Sequence, residues 1–189
     1  MNYVKPFNFL KKLPDKLNNF YKKHSRSKFK VDNKSKTIKD FDPVTNIDRG
    51  FEKYIRLLIH KSFPKDSVIG EEFKNKYSLN DFQWCIDPID GTRAFIIGAP
   101  TWSNLVGLSF RDKSLIGLAN FPELNKFYIS DHNKSYVVKD KKKLILKSSK
   151  NNDLKTIKII GNFHGTLSYE KQKKIIKRFG WSFRLAGFY

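Results

Sequence analysis

A chain of 189 residues with 39% apolar and 15% aromatic content can build a domain with a sizeable core and is too apolar for a disordered one. No apolar run reaches the roughly 20 residues that a spanning helix needs, and residues 1–13 break too short an apolar stretch with Lys and Pro for a signal peptide, so a cytoplasmic protein with no membrane partner is expected. The formal charge of +20 would attract nucleic acid, an anionic membrane or phosphorylated small molecules, but its lysines are scattered and the runs at 141–143 and 171–177 carry no nucleic-acid motif, which favours a solvated basic surface.

In chain order, apolar residues at helical spacing predict a helix over 7–23, kinked or restarted at Pro14. A short strand at 29–31 leads into a polar loop over 32–42. Ile47, Phe51, Tyr54, Ile55, Leu58 and Ile59 form one stripe, which predicts a helix over 45–63 between Pro43 and Pro64. Strands at 67–70 and 82–86 each end in acids. Cys85, inside the second, is expected to be a buried thiol. A short helix at 93–97 follows, then strands at 102–110 and 114–121 joined through Arg111, Asp112 and Lys113, and further strands at 126–130 and 136–138, together an antiparallel sheet. Past 141–153, a strand at 156–160, a helix at 168–179 and a strand at 181–185 suggest that a second layered unit begins, dividing the chain into 1–140 and 141–189.

The segment Asp87-Pro88-Ile89-Asp90-Gly91-Thr92 stands between a buried strand and a helix start. Two carboxylates three residues apart suit a core poorly, Gly91 permits close backbone approach, and the Gly91 and Thr92 amides are placed to hold an anion. Carboxylates beside an anion site imply a bridging cation, and Mg²⁺ commonly joins one or two carboxylates to a phosphate. The plainer reading is a surface turn with Asp90 as a helix cap. Thr45 and Asp48 have capping-box spacing, and Glu71 and Glu72 alone would be an exposed turn. The four histidines, His24, His60, His132 and His164, show no paired ligand spacing, and there is neither a P-loop nor a G-x-S-x-G elbow.

Taken in order, Asp42-Pro43-Val44-Thr45-Asn46-Ile47-Asp48, Ile69-Gly70-Glu71-Glu72 and Trp84-Cys85-Ile86-Asp87-Pro88-Ile89-Asp90-Gly91-Thr92-Arg93-Ala94-Phe95 resemble the successive motifs of the inositol monophosphatase family. The resemblance implies an α+β layered sandwich of the sugar-phosphatase type and Mg²⁺-dependent hydrolysis of a small phosphorylated metabolite. It implies that Glu71, Asp87 and the Ile89 carbonyl bind one Mg²⁺, that Asp87 and Asp90 help bind a second, and that Gly91 and Thr92 hold phosphate with Asp90 on the substrate side. Asp48 and Thr92 would orient the attacking water and Glu71 would activate it. Lys34, with Lys36 as competitor, stands near the place of a family lysine that approaches the metals. Arg93-Ala94-Phe95 looks more like the histidinol phosphatase and nucleotide bisphosphatase branches than the inositol branch, and Asp42-Pro43-Val44-Thr45 and Ile96-Ile97-Gly98-Ala99-Pro100 look closer to bacterial histidinol phosphatases.

Family members continue into further strands and a Trp-Asp motif that completes the second metal site. The chain is therefore expected to be truncated, impaired in turnover and unstable as an isolated monomer, with a homodimer left open. The alternatives are an inactive remnant or interaction module of the same fold, and a basic nucleic-acid binder.

Overall fold

The computed structural model describes residues 3–24, 29–34, 43–131 and 133–150, together with Glu170, Lys171 and Lys174. Two units divide between Leu146 and Lys147. Of the second, residues 147–150 are exposed and Glu170, Lys171 and Lys174 are helical; the strands expected at 156–160 and 181–185 and the rest of the helix expected at 168–179 lie outside the described residues.

Helix α1, Val4–His24, buries Leu10, Leu13, Pro14 and Leu17 on one face. The helix runs on through Pro14 and does not restart there. Proline forfeits one backbone hydrogen bond and strains the preceding turn, but Pro14 sits on the packed face, where burial offsets that loss. Strand β1, Val31–Asn33, lies slightly later than expected because it pairs antiparallel with β2, Pro43–Thr45, in the register Val31 with Thr45 and Asn33 with Pro43. Helix α2, Asn46–Ser62, starts where the stripe predicted, and Ile47, Phe51, Ile55 and Ile59 are all buried.

The main sheet takes β3, Ser67–Gly70; β4, Phe82–Asp90; β5, Ser103–Phe110; β6, Lys113–Phe121; β7, Lys126–Ser130; β8, Ser135–Lys139; and β9, Lys142–Ile145, in that spatial order. Every neighbouring pair is antiparallel except β3 with β4, which run parallel in the register Val68 with Trp84. The antiparallel sheet expected over 102–138 is present, and β3 runs parallel to β4 because segment 71–81 returns the chain to the same end of the sheet. Residues 142–145 had no strand predicted, since four exposed positions with two lysines give no alternation. Asp140 and Lys141, with φ of 49° and 64°, supply the left-handed turn that carries the chain from β8 into β9 and extends the first unit to Leu146.

Helices α1 and α2 pack on one face of this sheet, α2 against β4 and α1 against β6 and β7. Strand alternation decides which residues they cover. Trp84 and Ile86 are buried with Phe9 and Phe63 against the Trp84 ring, and the Trp84 indole donates to Asp66 at 2.8 Å. Cys85, between them, points to the opposite face and is exposed, which corrects the expectation of a buried thiol.

Candidate metal and phosphate site

Three element ends meet at the sequence-predicted acids. At the first, Thr45 caps α2: its hydroxyl accepts from the amides of Ile47 and Asp48, and Asp48 Oδ2 accepts from the Thr45 amide at 2.8 Å and from the Thr45 hydroxyl. The capping reading of Thr45 and Asp48 therefore holds, and it leaves Oδ1 of Asp48 pointing elsewhere. That oxygen accepts from the Thr92 hydroxyl at 3.3 Å, so residues 44 apart in sequence are joined. Burial raises the Asp48 pKa, opposed by hydrogen bonds from Thr45 and Thr92.

The second end is β4, where the register slips between Asp87, opposite Leu105, and Asp90, opposite Ser103. One extra residue on β4 resets the alternation that would otherwise send Asp87 and Asp90 to opposite faces. The bulge is pinned from behind. Asn104, fully buried, donates to the Pro88 carbonyl at 2.6 Å and accepts from Asn120 at 3.0 Å, and Asn120 also reaches Asn18 on α1 at 2.9 Å. Asp90 accepts from Ser103 at 3.3 Å. Gly91 then takes φ of 85° and ψ of 46°, the left-handed conformation that a side chain resists, and opens the short helix α3, Thr92–Ile96. The Thr92 hydroxyl also lies 3.1 Å from the Ile89 carbonyl oxygen.

The third end is β3, whose Gly70 leads into Glu71 and Glu72. Lys34 Nζ donates to Glu71 at 2.7 Å and to Glu72 at 2.6 Å. Burial would lower the Lys34 pKa, but the two carboxylates outweigh it and hold it above the ordinary lysine value. Among the described residues Lys34 is the loop lysine whose ammonium meets the acids; Lys36 and Asp42 lie outside them. Glu72, largely buried, has its pKa raised by burial despite that partner.

Asp87 registers the convergence. Its pKa is pushed up to about 7, first by burial and then by the charges of Glu71 and Asp90, while the Ile89 amide pulls the other way. Its Oδ1 is buried without a hydrogen-bond partner. A buried acceptor with no donor beside two further carboxylates fits a hard divalent cation, which satisfies the lone pair and cancels the repulsion. Among the described residues no three His, Cys, Asp or Glu side chains form a ready-made cage. Glu71 is turned onto Lys34, and a Mg²⁺ site that keeps its waters and uses a carbonyl such as that of Ile89 needs no such cage. The structure thus brings Asp48, Glu71, Asp87, Ile89, Asp90 and Thr92 to one region with Gly91 at its edge.

Sequence reasoning passed over the residues that hold this region from behind. Glu52 and Arg56 continue from Asp48 at four-residue steps along α2, a spacing that was available as a signal, and both contact the turn after Gly70. Asn104 and Asn120, buried amides in β-rich runs, gave none.

Residues 7–179 match the model of the inositol monophosphatase family, and the chain belongs to that family. It is 43% identical over 90 residues to a histidinol-phosphatase of Chlorobaculum parvum, a match covering 48% of this chain and 35% of that protein. The chain thus spans about a third of the length of this curated relative. Among solved structures, an IMPase of Thermotoga maritima superposes with a TM-score of 0.64 at 25% identity, over 92% of this chain and 62% of that one. An IMPase/NADP phosphatase complexed with Mg²⁺ and phosphate superposes with a TM-score of 0.61 at 17% identity, over 69% of this chain and 49% of that one, a likeness of fold.

Proposed function

We propose that this site hydrolyses the phosphate monoester of a small cytoplasmic metabolite, histidinol phosphate or inositol monophosphate, with Mg²⁺ as cofactor. The observation that carries the reading is Asp87: a buried oxygen without a donor, in a carboxyl whose pKa is raised by burial and then by the charges of Glu71 and Asp90, shortly before a left-handed glycine turn. Glu71, Asp87 and the Ile89 carbonyl would hold one ion, and Asp87 with Asp90 a second. When bound, the ions supply Lewis acidity that makes water nucleophilic at neutral pH and neutralises phosphate charge.

The chain's own groups do the rest. The Thr92 hydroxyl can donate to Asp48 or to the Ile89 carbonyl, so its remaining lone pair can accept from a water and fix its direction. Glu71 takes a proton from that water as its oxygen bonds to phosphorus. The Gly91 and Thr92 amides hold a non-bridging phosphate oxygen. The ester oxygen departs as the alcohol with a proton from solvent water, Glu71 gives the proton it took back to solvent, and no covalent enzyme intermediate is required. The histidinol phosphate assignment is supported by the relative from Chlorobaculum parvum and by Arg93-Ala94-Phe95 after the Gly-Thr pair.

A second reading is metal uptake without turnover, because the family resemblance assigns only Asp87 and Asp90 of the described residues to the second ion. One experiment separates the two. Phosphate release is measured from histidinol phosphate, inositol monophosphate and a 3′,5′-bisphosphate nucleotide, with Mg²⁺ or EDTA, on this chain and on one extended by a relative's C-terminal segment. Mg²⁺-dependent release lost in Asp87→Asn is the expected result for the enzyme, activity only in the extended chain favours the second reading for the chain as it stands, and turnover unaffected by EDTA overturns both.

A further inference from the structure

Behind the acidic turn stands a charged pair to which the mechanism assigns no role. Glu52 lies one helical turn beyond Asp48 on α2, and Arg56 one turn beyond Glu52. Glu52 is 0% exposed. Its Oε1 accepts from Arg56 Nε at 2.7 Å and from the Phe73 amide at 3.3 Å, and its Oε2 accepts from the Glu72 amide at 2.7 Å. Arg56 Nη2 donates to the Phe73 carbonyl at 3.2 Å. Carboxylate and guanidinium together hold both backbone groups of Phe73 and the amide of Glu72.

The Glu72 amide belongs to the peptide plane that joins Glu71 to Glu72. A partner on that N–H sets the orientation of the plane and, through it, where the Glu71 side chain leaves the backbone. Gly70 shows how closely the clamp is pressed against the strand end: a Cβ there would stand 2.1 Å from Glu52 Oε1 and 2.8 Å from Arg56 Nη2. A buried carboxylate is costly unless it is paired and its remaining lone pairs accept hydrogen bonds. For Glu52 the two donors besides Arg56 are the main-chain amides directly after Glu71, so the bonds that satisfy this carboxylate also fix the turn that carries Glu71.

We infer that Glu52, backed by Arg56, is a positioning residue that sets the Glu71 carboxylate for cation binding, an inference that rests on the metal site proposed above. One face of α2 then does two jobs: Asp48 at its start holds Thr92, and one turn later Glu52 holds the turn that carries Glu71. Outer groups of this kind typically change metal affinity by about 10–100-fold when altered.

The test uses Glu52→Gln, which keeps the shape but turns one acceptor into a donor facing N–H groups, with Arg56→Lys as a milder variant should the first fail to fold. Ile59→Val, a core change on the same helix, is the control for stability alone. Mn²⁺ uptake by the full chain is read from the free-ion EPR signal, and exchange of individual amides by NMR. Mn²⁺ affinity is expected to fall at least about tenfold in Glu52→Gln and less in Arg56→Lys, to stay at the wild-type value in Ile59→Val, and the Glu72 and Phe73 amides are expected to lose protection while α2 keeps its own. Wild-type affinity in Glu52→Gln, an equal loss in Ile59→Val, or unchanged Glu72 and Phe73 protection would each overturn the role of Glu52. A wild-type chain that takes up no Mn²⁺ would instead overturn the metal site, and this role with it.

Discussion

Asp87 carries a charge conflict that a cation would resolve, and the conflict has a sign in pH. Its folded-state pKa of about 7 lies above the ordinary 3.8, so between those values the folded chain retains a proton that the unfolded chain releases. The metal-free chain should be most stable, as far as this group is concerned, below about pH 4, lose that contribution as pH rises toward 7, and change no further above it. Burial and the charges of Glu71 and Asp90 are absent in the unfolded chain, which is why the difference appears on folding. Asp87→Asn removes the ionisation. In EDTA at about pH 8 this variant should melt above the wild type, whereas adding Mg²⁺ should raise the wild-type Tm and leave the variant unmoved. Melting curves in the two buffers check both halves, and a variant that melts lower in EDTA would mean that Asp87 is not under repulsion. Lys34 modulates the same balance: its ammonium already meets Glu71 and Glu72, so an incoming cation shares Glu71 with a group that must be drawn aside.

Among the elements, β4 is the one whose irregularity makes the site. Its bulge depends on Asn104, whose amide gives the Pro88 carbonyl a hydrogen-bond donor within the buried part of the strand. Asn104→Ala leaves that carbonyl without its partner, at a cost of about 1–3 kcal/mol for the unsatisfied acceptor. A fall in the urea midpoint at constant m-value would report it, and an unchanged midpoint would show that water or a backbone shift replaces the amide. The same strand marks where sequence reading stops. The acids at its end were legible because Asp, Pro, Gly and Thr at that spacing suit no ordinary core, and α2 was legible from a single 3.6-period stripe. The bulge was not, since period-2 reasoning has no term for an extra residue until the partner strand is known, and β5 fixes it through Leu105 and Ser103. Cys85 was misread for a related reason: its neighbours Trp84 and Ile86 are apolar, but only the packing of α1 and α2 says which face of the strand is covered. β9 escaped notice because it is held by a left-handed turn at Asp140 and Lys141 and by pairing with β8, neither of which leaves an apolar pattern.

At the scale of the whole chain, 38 basic residues face 18 acidic ones, yet Asp48, Glu71, Glu72, Asp87 and Asp90 are gathered in one region. On the proposed function, a positive field over the surface would draw anionic phosphate esters while the local acidity would draw a divalent ion. The formal charge of +20 still leaves a large basic excess over the chain. In the five pairs found among the described residues, four basic side chains take up five acidic ones, and the exposed pairs of Arg49 with Asp32 and Arg111 with Asp81 contribute little. Self-repulsion of that excess should therefore outweigh the loss of paired charges when salt is added. The Tm of the metal-free chain is expected to rise as NaCl goes from low concentration to about 0.15 M, where the Debye length shortens to about 8 Å, and to level off beyond it. A basic nucleic-acid binder would share that rise, but it would also hold generic RNA at low salt and release it steeply over the same range. A rising Tm with no RNA binding at low salt assigns the charge to solubility and substrate attraction; a Tm that falls with salt would mean that the surface pairs stabilise the fold more than their exposure allows.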